Sequence, residues 1–174
     1  MELWDLYTQD RTPTGKTHVR GEALPGGCYH LVVHVWIQNS KGEYLISQRS
    51  ANRPTFPLMW ECVGGSVVAG ENSLDGALRE VQEEVGIDLC AADGKCVYSV
   101  TRGMVNGAKF NDILDVWLFP YDGEVSLTRA TTDEVAQTKW MTPAQVLALL
   151  DSGEMVNTLQ YFSAYVQNQR TEST

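Results

Sequence analysis

Three glutamates, Glu80, Glu83 and Glu84, stand close together in one short segment of the chain. On a helix that turns about 100° per residue, all three fall on one face. Like charges three and four residues apart repel each other and weaken a helix slightly, so the group needs compensation. Carboxylates are ligands that Mg²⁺ and Mn²⁺ prefer. The spacing therefore predicts a divalent-metal site on a helix, and the alternative is a solvated acidic face.

The residues around these glutamates predict the helix that would carry them. Apolar residues recur at helical spacing and form the expected buried stripe: Leu74, Ala77, Leu78, Val81 and Val85. Asn72 or Ser73 is suited to cap the beginning of such a helix. Gly86 followed by Ile87 is typical of a helix that ends in a glycine cap with a hydrophobic contact. We therefore expect a helix that ends at Val85, with its acidic face opposite its apolar stripe.

The segment from Gly65 to Ile87 resembles the Nudix box, G-x5-E-x7-R-E-U-x-E-E-x-G-U, in which U is a bulky apolar residue. Its fixed positions are met by Gly65, Glu71, Arg79, Glu80, Val81, Glu83, Glu84, Gly86 and Ile87. The resemblance implies the Nudix-type α/β/α sandwich with a mixed β-sheet. It also implies a hydrolase that uses Mg²⁺ or Mn²⁺ to cleave the diphosphate linkage of a small nucleoside-linked or otherwise X-linked diphosphate.

The resemblance further implies a role for each residue of the box. Glu80, Glu83 and Glu84 would bind the metal, and the carbonyl oxygen of Gly64 or Gly65 would add a ligand. The geometry of the loop and helix would be supported by Gly65, Glu71, Arg79 and Gly86. Arg79 is expected to pair with Glu71 or with a neighbouring carboxylate.

The resemblance allows two kinds of catalytic base, which are a glutamate of the box and a glutamate from a later loop. Glu83 and Glu84 are the candidates within the box. Glu134 lies shortly before Trp140, where many Nudix chains carry a late acidic residue. It is therefore predicted as an auxiliary base or metal ligand, and the alternative is an ordinary surface carboxylate.

Candidates for substrate contact lie ahead of the box and after it. Arg49 and Arg53 flank a proline-containing loop, and arginine pairs well with phosphate oxygens. Trp60 can stack on a base or pack in the core. Other candidates for the walls of the cleft are His30, His34, Lys109, Asn111 and Asp112. His34 is expected to be a core histidine rather than a ligand.

Weaker matches outside the box are similar to the branch related to isopentenyl-diphosphate isomerase. They are Trp4-Asp5, Arg20-Gly21, the strand from His30 to Trp36, Gln48-Arg49, and Pro57 with Trp60. Such isomerases use a catalytic cysteine in a Cys-x-His segment, whereas Cys62 has no histidine at that spacing. An isomerase of this type and a non-catalytic Nudix ligand sensor are the alternatives. Retention of every box glutamate favours the hydrolase.

Periodicity and turn residues predict a layered α/β domain. Expected strands are Leu31 to Ile37, Glu43 to Ser47 as its hairpin partner, Trp60 to Gly64, Val97 to Thr101, Ile113 to Phe119 and Lys139 to Met141. Further helices are expected from Thr142 to about Gly153 and from Val156 to about Gln167. We predict a single domain over residues 1–174, with a strand-and-turn extension at 1–27 and a C-terminal helix at 154–170.

Composition limits the partners of the protein. A net charge of −9 argues against a nucleic-acid polymer, which needs clustered basic residues. No run reaches the roughly 18 apolar residues of a membrane span, and the N-terminus is unlike a secretory signal, so we expect no membrane partner and a cytoplasmic location. The four cysteines form no CxxC pair and are expected to be free thiols. A small phosphorylated substrate is expected, and resemblance suggests a homodimer.

Overall fold

The structure is a computed structural model that describes residues 1–105 and 107–172, without the side chains of residues 105, 108 and 169–172. Its strands are β1 (Leu3–Tyr7), β2 (Pro13–Val19), β3 (His30–Gln38), β4 (Tyr44–Arg49), β5 (Trp60–Glu61), β6 (Val63–Ser66), β7 (Lys95–Val105), β8 (Ala108–Pro120) and β9 (Val135–Met141). The helices are α1 (Ser73–Val85), α2 (Pro143–Ser152) and α3 (Tyr161–Glu172). No helix among the described residues is long and apolar enough to cross a membrane.

A mixed sheet forms the centre of the molecule. Its main path runs β5-β4-β3-β8-β7, while β6 pairs with β3 and β9 pairs with β4. Strands β3 and β8 are parallel, from His30 opposite Asp112 to Gln38 opposite Pro120. Strand β6 is antiparallel to β3, with Gly64 opposite His34 and Gly65 opposite Val33. This pairing brings the glycine pair to the middle of the sheet.

Alternation along β3 gives the sheet two covered faces. Val33 and Val35 pack with Val81 in the cluster that includes α1. On the other face, Trp36 packs with Phe162 of α3. Because side chains alternate between the faces of a strand, helices on both sides bury the whole sheet centre. The predicted α/β/α sandwich with a mixed sheet is confirmed.

Helix α1 begins and ends as its sequence indicates. The side chain of Asn72 accepts a hydrogen bond from the backbone N–H of Asp75 at 3.0 Å. Gly86 adopts a left-handed conformation (φ 68°) and its N–H donates to the carbonyl of Gln82. Of the predicted stripe, Ala77, Val81 and Val85 are fully buried. The other two members, Leu74 and Leu78, lie at the border of the stripe and are only partly buried.

Several predicted strands and one predicted helix have other bounds in the structure. The predicted β3–β4 hairpin is present and antiparallel, with Gln38 paired to Tyr44, and β4 also pairs along its length with β9. The expected strand at 60–64 is divided into β5 and β6 at Cys62. Strands β7 and β8 extend well beyond the predicted ranges, because they form one long hairpin. The last helix begins at Tyr161, after a short 3₁₀ turn at Asn157–Leu159.

The N-terminal hairpin of β1 and β2 is docked on the loop at the beginning of the box. The carbonyl of Leu3 accepts a hydrogen bond from the N–H of Ala69 at 2.7 Å. The carboxylate of Asp5 accepts one from the N–H of Gly70 at 2.8 Å. Backbone donors that a loop would otherwise leave to water are thus used to hold the extension.

We expect Ile87→Ala to lower the free energy of unfolding by about 2–5 kcal/mol, because Ile87 is fully buried beside α1. Leu78→Ala removes a similar number of atoms from a half-buried position and should cost less than half as much. Urea denaturation followed by tryptophan fluorescence measures both losses. Equal losses would show that Leu78 belongs to the core as fully as Ile87 does.

Candidate active site

The acidic face of α1 lies against the glycine pair of β6. A Cβ built on Gly65 would lie 2.5 Å from the carboxyl carbon of Glu80, and one on Gly64 would collide with the carbonyl oxygen of Val33. Real Cβ atoms do not approach other atoms so closely. Gly64 therefore needs glycine because of close packing against backbone, whereas a side chain at position 65 would displace the carboxylate of Glu80. The absence of a side chain at Gly65 thus lets Glu80 reach the sheet.

Arg79 holds the cluster together. Its guanidinium donates to Glu71 at 2.9 Å, to Glu80 at 2.9 Å and to Glu83 at 3.1 Å. It also donates to the carbonyl oxygen of Ser66 at 3.0 Å. Charge-assisted hydrogen bonds of this kind offset the repulsion between neighbouring carboxylates. The expected pairing of Arg79 with Glu71 is therefore present, and the same guanidinium also joins two glutamates of the cluster.

Glu84 is buried, which corrects the expectation that the whole acidic face lies opposite the apolar stripe. It is 5% exposed, and its Oε2 has no hydrogen-bond partner among the described residues. On a helix, Glu84 lies only about 60° around from Val81, at the edge of the apolar stripe, so the sheet covers it. Burial raises the pKa of Glu84 well above its usual range, helped by the charges of Glu61 and Glu80 and opposed by Arg53.

The other two box glutamates are more accessible and are held by Arg79. Burial raises the pKa of Glu80 to about 7, although the charge and hydrogen bond of Arg79 act in the opposite direction. Glu83 lies farther from the stripe and is about one-third exposed. The three glutamates therefore differ in solvent exposure, from the buried Glu84 to Glu83, which is about one-third exposed.

A fourth carboxylate, Glu61, completes the cluster and was not predicted from the sequence. It lines a cavity of about 100 Å³ together with His34, Cys62, Gly64 and Gly65. Burial raises its pKa, against the effect of Arg49. The available signal was a glutamate between two buried residues in a short strand next to the glycine pair. Such a residue requires a partner.

Arg49 supplies that partner. It is 8% exposed and donates to Glu61 at 2.7 Å and to the carbonyl of Thr55 at 2.9 Å. Its predicted contact with substrate stays a prediction, because these bonds already use much of the guanidinium. Arg53 forms an ion pair with Glu134 at 2.6 Å, and its buried Nε has no acceptor among the described residues.

Backbone hydrogen bonds join the loop that carries Glu134 to helix α1 and to Ser50 at the end of β4, and they place Glu134 beside the cluster. The N–H of Thr131 donates to the carbonyl of Glu83 at 2.9 Å, and the N–H of Ser50 donates to the carbonyl of Glu134 at 2.8 Å. The negative charge of Glu134 contributes to the raised pKa values of Glu80 and Glu84. The late acidic residue is therefore near the box, as its predicted role requires.

Two other candidate residues belong to packed regions. Trp60 is 7% exposed and packs in the core cluster under α3, with the ammonium of Lys139 5.1 Å from its ring. Its burial fits core packing better than stacking on a ligand, which stays untested. The Nδ1 of His34 lies 2.9 Å from the hydroxyl of Tyr161, as expected of a satisfied core histidine. Burial lowers the pKa of His34 to about 3.

The residues of the cluster fit a divalent cation, although none of the described acidic, histidine or cysteine side chains forms a ready-made group of three ligands. Arg79 instead occupies oxygens of Glu80 and Glu83. Two observations support the fit. The donors are hard carboxylate oxygens beside the Gly64-Gly65 backbone, the set that Mg²⁺ and Mn²⁺ prefer. The buried Oε2 of Glu84 also has no donor among the described residues, and a cation would take the place of that donor.

Comparison with known proteins identifies the relatives of this chain. A family model described as NUDIX domain matches residues 29–162. An uncharacterized Nudix hydrolase from Listeria monocytogenes is 39% identical over 159 residues, which cover 90% of this chain and 89% of the relative. An isopentenyl-diphosphate Delta-isomerase from Escherichia coli is 26% identical over 151 residues, 84% of this chain and 80% of that protein.

A solved structure supports the same fold. The crystal structure of DR0079 from Deinococcus radiodurans has a TM-score of 0.74 and is 22% identical. The match covers 94% of this chain and 98% of that chain. At this level of identity the likeness concerns the fold alone.

We expect Arg79→Ala to lower the free energy of unfolding by about 2 kcal/mol or more, because it leaves several partly buried carboxylates unpaired. Arg129→Ala is the matched control, since its ion pair with Asp88 is exposed on both sides. That control should cost less than about 1 kcal/mol. Guanidinium chloride denaturation at neutral pH compares the two. An Arg79→Ala loss no larger than that of the control would contradict the role of Arg79 as the centre of the cluster.

Proposed function

The chain belongs to the Nudix family of hydrolases acting on diphosphate bonds, and from this premise we propose that it is a divalent-metal-dependent enzyme that cleaves a small nucleoside-linked or otherwise X-linked diphosphate. The observation that carries this proposal is the buried Oε2 of Glu84, which has no donor in the described part of the chain and lies within a group of carboxylates. In a protein interior such a group either holds a proton, as its raised pKa favours, or is charged beside a compensating cation.

We propose that Glu80, Glu83 and Glu84 hold Mg²⁺ or Mn²⁺, with the carbonyl oxygen of Gly64 as a further ligand. When bound, the cation would polarise the diphosphate oxygens and lower the pKa of a nearby water. Gly65 keeps Glu80 close to the backbone of β6. Arg79 keeps Glu80 and Glu83 together before substrate binds, and Glu71 orients Arg79.

The attacking water must give up a proton to a carboxylate. Glu83, Glu84 and Glu134 are the proposed acceptors, and Glu134 is the one that approaches from outside helix α1. Arg53 holds the carboxylate of Glu134 at 2.6 Å and so sets its position. The Nε of Arg53 has no acceptor within the part of the chain that the structure describes, which fits its proposed contact with a substrate phosphate.

Glu61 is proposed as an added positioning residue for this chemistry. Arg49 holds its carboxylate from one side, and the charge of Glu61 is the largest charge contribution to the raised pKa of Glu84. Glu61 therefore acts on the cluster through Glu84. Its neighbour Cys62 shares the cavity but is 3% exposed, and burial raises the pKa of its thiol. A buried thiol that stays protonated does not favour the isomerase alternative.

Two wider proposals complete the assignment. Residues 1–174 form one domain, with the extension at 1–27 joined to the box loop by the bonds of Leu3 and Asp5. Helix α3, which lies within the region predicted as a C-terminal helix at 154–170 but begins at Tyr161, packs through Phe162 and Val166 against the sheet. A homodimer stays a prediction, and sedimentation equilibrium tests it.

We expect Glu84→Gln to reduce turnover at least about 100-fold while the protein stays folded, because the change removes a ligand charge and leaves the volume unchanged. The assay measures release of phosphate or pyrophosphate from nucleoside and isoprenoid diphosphates, with Mg²⁺ and with chelator. Glu124→Gln, an exposed position away from the cluster, is the control. Normal turnover by Glu84→Gln, or release that persists in chelator, would refute the proposed function.

The same substrates separate hydrolysis from isomerisation. We expect Cys62→Ser to keep at least half of the metal-dependent release, since the thiol has no role in the proposed chemistry. Products from isopentenyl diphosphate are analysed by chromatography for an allylic isomer. Formation of that isomer, lost in Cys62→Ser, would establish the isomerase alternative instead.

A further inference from the structure

The imidazole of His34 lies between the carboxylate cluster and helix α3. Its position on β3 is opposite Gly64 of β6. A Cβ built on Gly64 would lie 3.1 Å from the Cδ2 of His34, so that edge of the ring faces the glycine pair. The opposite edge carries Nδ1, which lies 2.9 Å from the hydroxyl of Tyr161. The ring therefore joins the first residue of α3 to the cavity of about 100 Å³ that Glu61 and Gly64 also line.

The hydroxyl of Tyr161 serves two partners on β3. The buried indole N–H of Trp36 donates to the Tyr161 oxygen at 2.9 Å, and an indole nitrogen can only donate. That bond uses a lone pair of the hydroxyl and leaves its hydrogen to be donated elsewhere. The Nδ1 of His34 is a good acceptor for this hydrogen, whereas the thiol of Cys62, which also meets the hydroxyl, is a weak one. The hydroxyl of Tyr161 therefore donates to Nδ1.

This bond decides which nitrogen of His34 carries a hydrogen. Burial lowers the pKa of His34 to about 3, so the ring is neutral at pH 7 and holds a single N–H. Because Nδ1 accepts from Tyr161, that N–H belongs to Nε2. Nε2 adjoins Cδ2 in the ring and so lies on the edge toward Gly64 and the cavity. It has no hydrogen-bond partner within the described part of the chain.

The surroundings of this N–H favour a phosphate oxygen as its acceptor. The cavity is bounded by Gly64 and Gly65, beside the carboxylates that would hold the metal. Its volume is several times the roughly 10–15 Å³ that one water needs, so it accommodates a phosphate group. A neutral N–H stabilises a phosphate oxygen and, unlike an arginine or a lysine, adds no positive charge that would compete with a cation for Glu61 and its neighbours.

We propose that His34 is a substrate-binding residue of this site, whose Nε2–H donates to a non-bridging oxygen of the bound diphosphate, and that Tyr161 is the positioning residue that fixes this tautomer. The proposal rests on the proposed function and adds a substrate contact from outside the box. Tyr161 is itself held by the stacked ring of Tyr98, with centroids 5.6 Å apart. A donor fixed in place before substrate binds needs no reorganisation during the reaction.

Nitrogen NMR tests the tautomer without metal or substrate. The full chain is labelled with ¹⁵N at its three histidines, and the His34 signals are those missing from His34→Gln. In chelator we expect the Nε2–H tautomer in the unaltered chain and a mixture of both tautomers in Tyr161→Phe, which lacks the donor to Nδ1. Addition of Mg²⁺ and methylenediphosphonate, a diphosphate analogue that is not hydrolysed, should shift the Nε2–H signal. An Nδ1–H tautomer in the unaltered chain, or an Nε2–H signal that stays in place at saturating diphosphonate, would overturn the proposal.

Two matched replacements of His34 test the contact by affinity. Glutamine places its side-chain amide where His34 has Nε2, whereas asparagine places it where His34 has Nδ1 and leaves the cavity without the donor. In calorimetric titrations of methylenediphosphonate with Mg²⁺, we expect at least tenfold weaker binding by His34→Asn and at most threefold weaker binding by His34→Gln. The reason is that a hydrogen bond to a charged group contributes roughly tenfold or more to an equilibrium constant. His18→Gln is the control and should bind as the unaltered chain does, because the ring of His18 bonds the carbonyl of Glu22 instead.

The results distinguish this contact from the proposed function. Absence of diphosphonate binding by the unaltered chain, or equal affinity in His34→Asn and His34→Gln, would overturn the contact. Metal-dependent hydrolysis with the same kcat/KM in His34→Asn as in the unaltered chain would also overturn it and leave the proposed function standing. The expected tautomer and affinities in a chain that hydrolyses no diphosphate would sustain the contact and refute the proposed function.

Discussion

The close approach of helix α1 to strand β6 is the constraint on which the site depends. Each element contributes a glycine to it. Gly65 of β6 leaves room for the carboxylate of Glu80, and a Cβ on Gly76 of α1 would lie 2.8 Å from a methyl group of Val67. Because the backbones meet so closely, carboxylates that would otherwise extend into water are pressed against the sheet. The raised pKa values of Glu80 and Glu84, and the need of these carboxylates for positive charge, follow from this packing.

The charges of the cluster are balanced only in part. Three guanidinium groups, those of Arg49, Arg53 and Arg79, pair with the nearest carboxylates. The carboxylates outnumber them by three, and they are Glu61, Glu71, Glu80, Glu83, Glu84 and Glu134. The buried Oε2 of Glu84 has no hydrogen-bond partner among the described residues. An excess of carboxylates in a small, partly dry volume is what a divalent cation stabilises, since each ion meets several oxygens at once.

The features that could be predicted from the sequence are those that depend on residues close together in the chain. The caps and apolar stripe of α1 depend on residues within one helix, so Asn72, Val81 and Gly86 were all correctly interpreted. The burial of Glu84 depends on how far the sheet extends around the helix, which helical periodicity does not contain. Glu61 and Arg49 meet across two strands, and no spacing in the chain encodes that pairing. The predicted β3–β4 hairpin is present, but the pairing of β4 with the distant β9 was missed for the same reason.

The loop at 67–71 joins the carboxylate cluster to the N-terminal hairpin. On one side Glu71 orients Arg79 and thereby the carboxylates. On the other, the backbone of Ala69 and Gly70 holds β1, which brings Trp4 over His30. The residues of the box come from one continuous segment, whereas the stacking of Trp4 on His30 joins β1 to β3. A single segment can be recognised from its spacing, but distant segments meet only through the fold. The family of the protein can therefore be recognised from its sequence, while contacts between distant segments depend on tertiary packing.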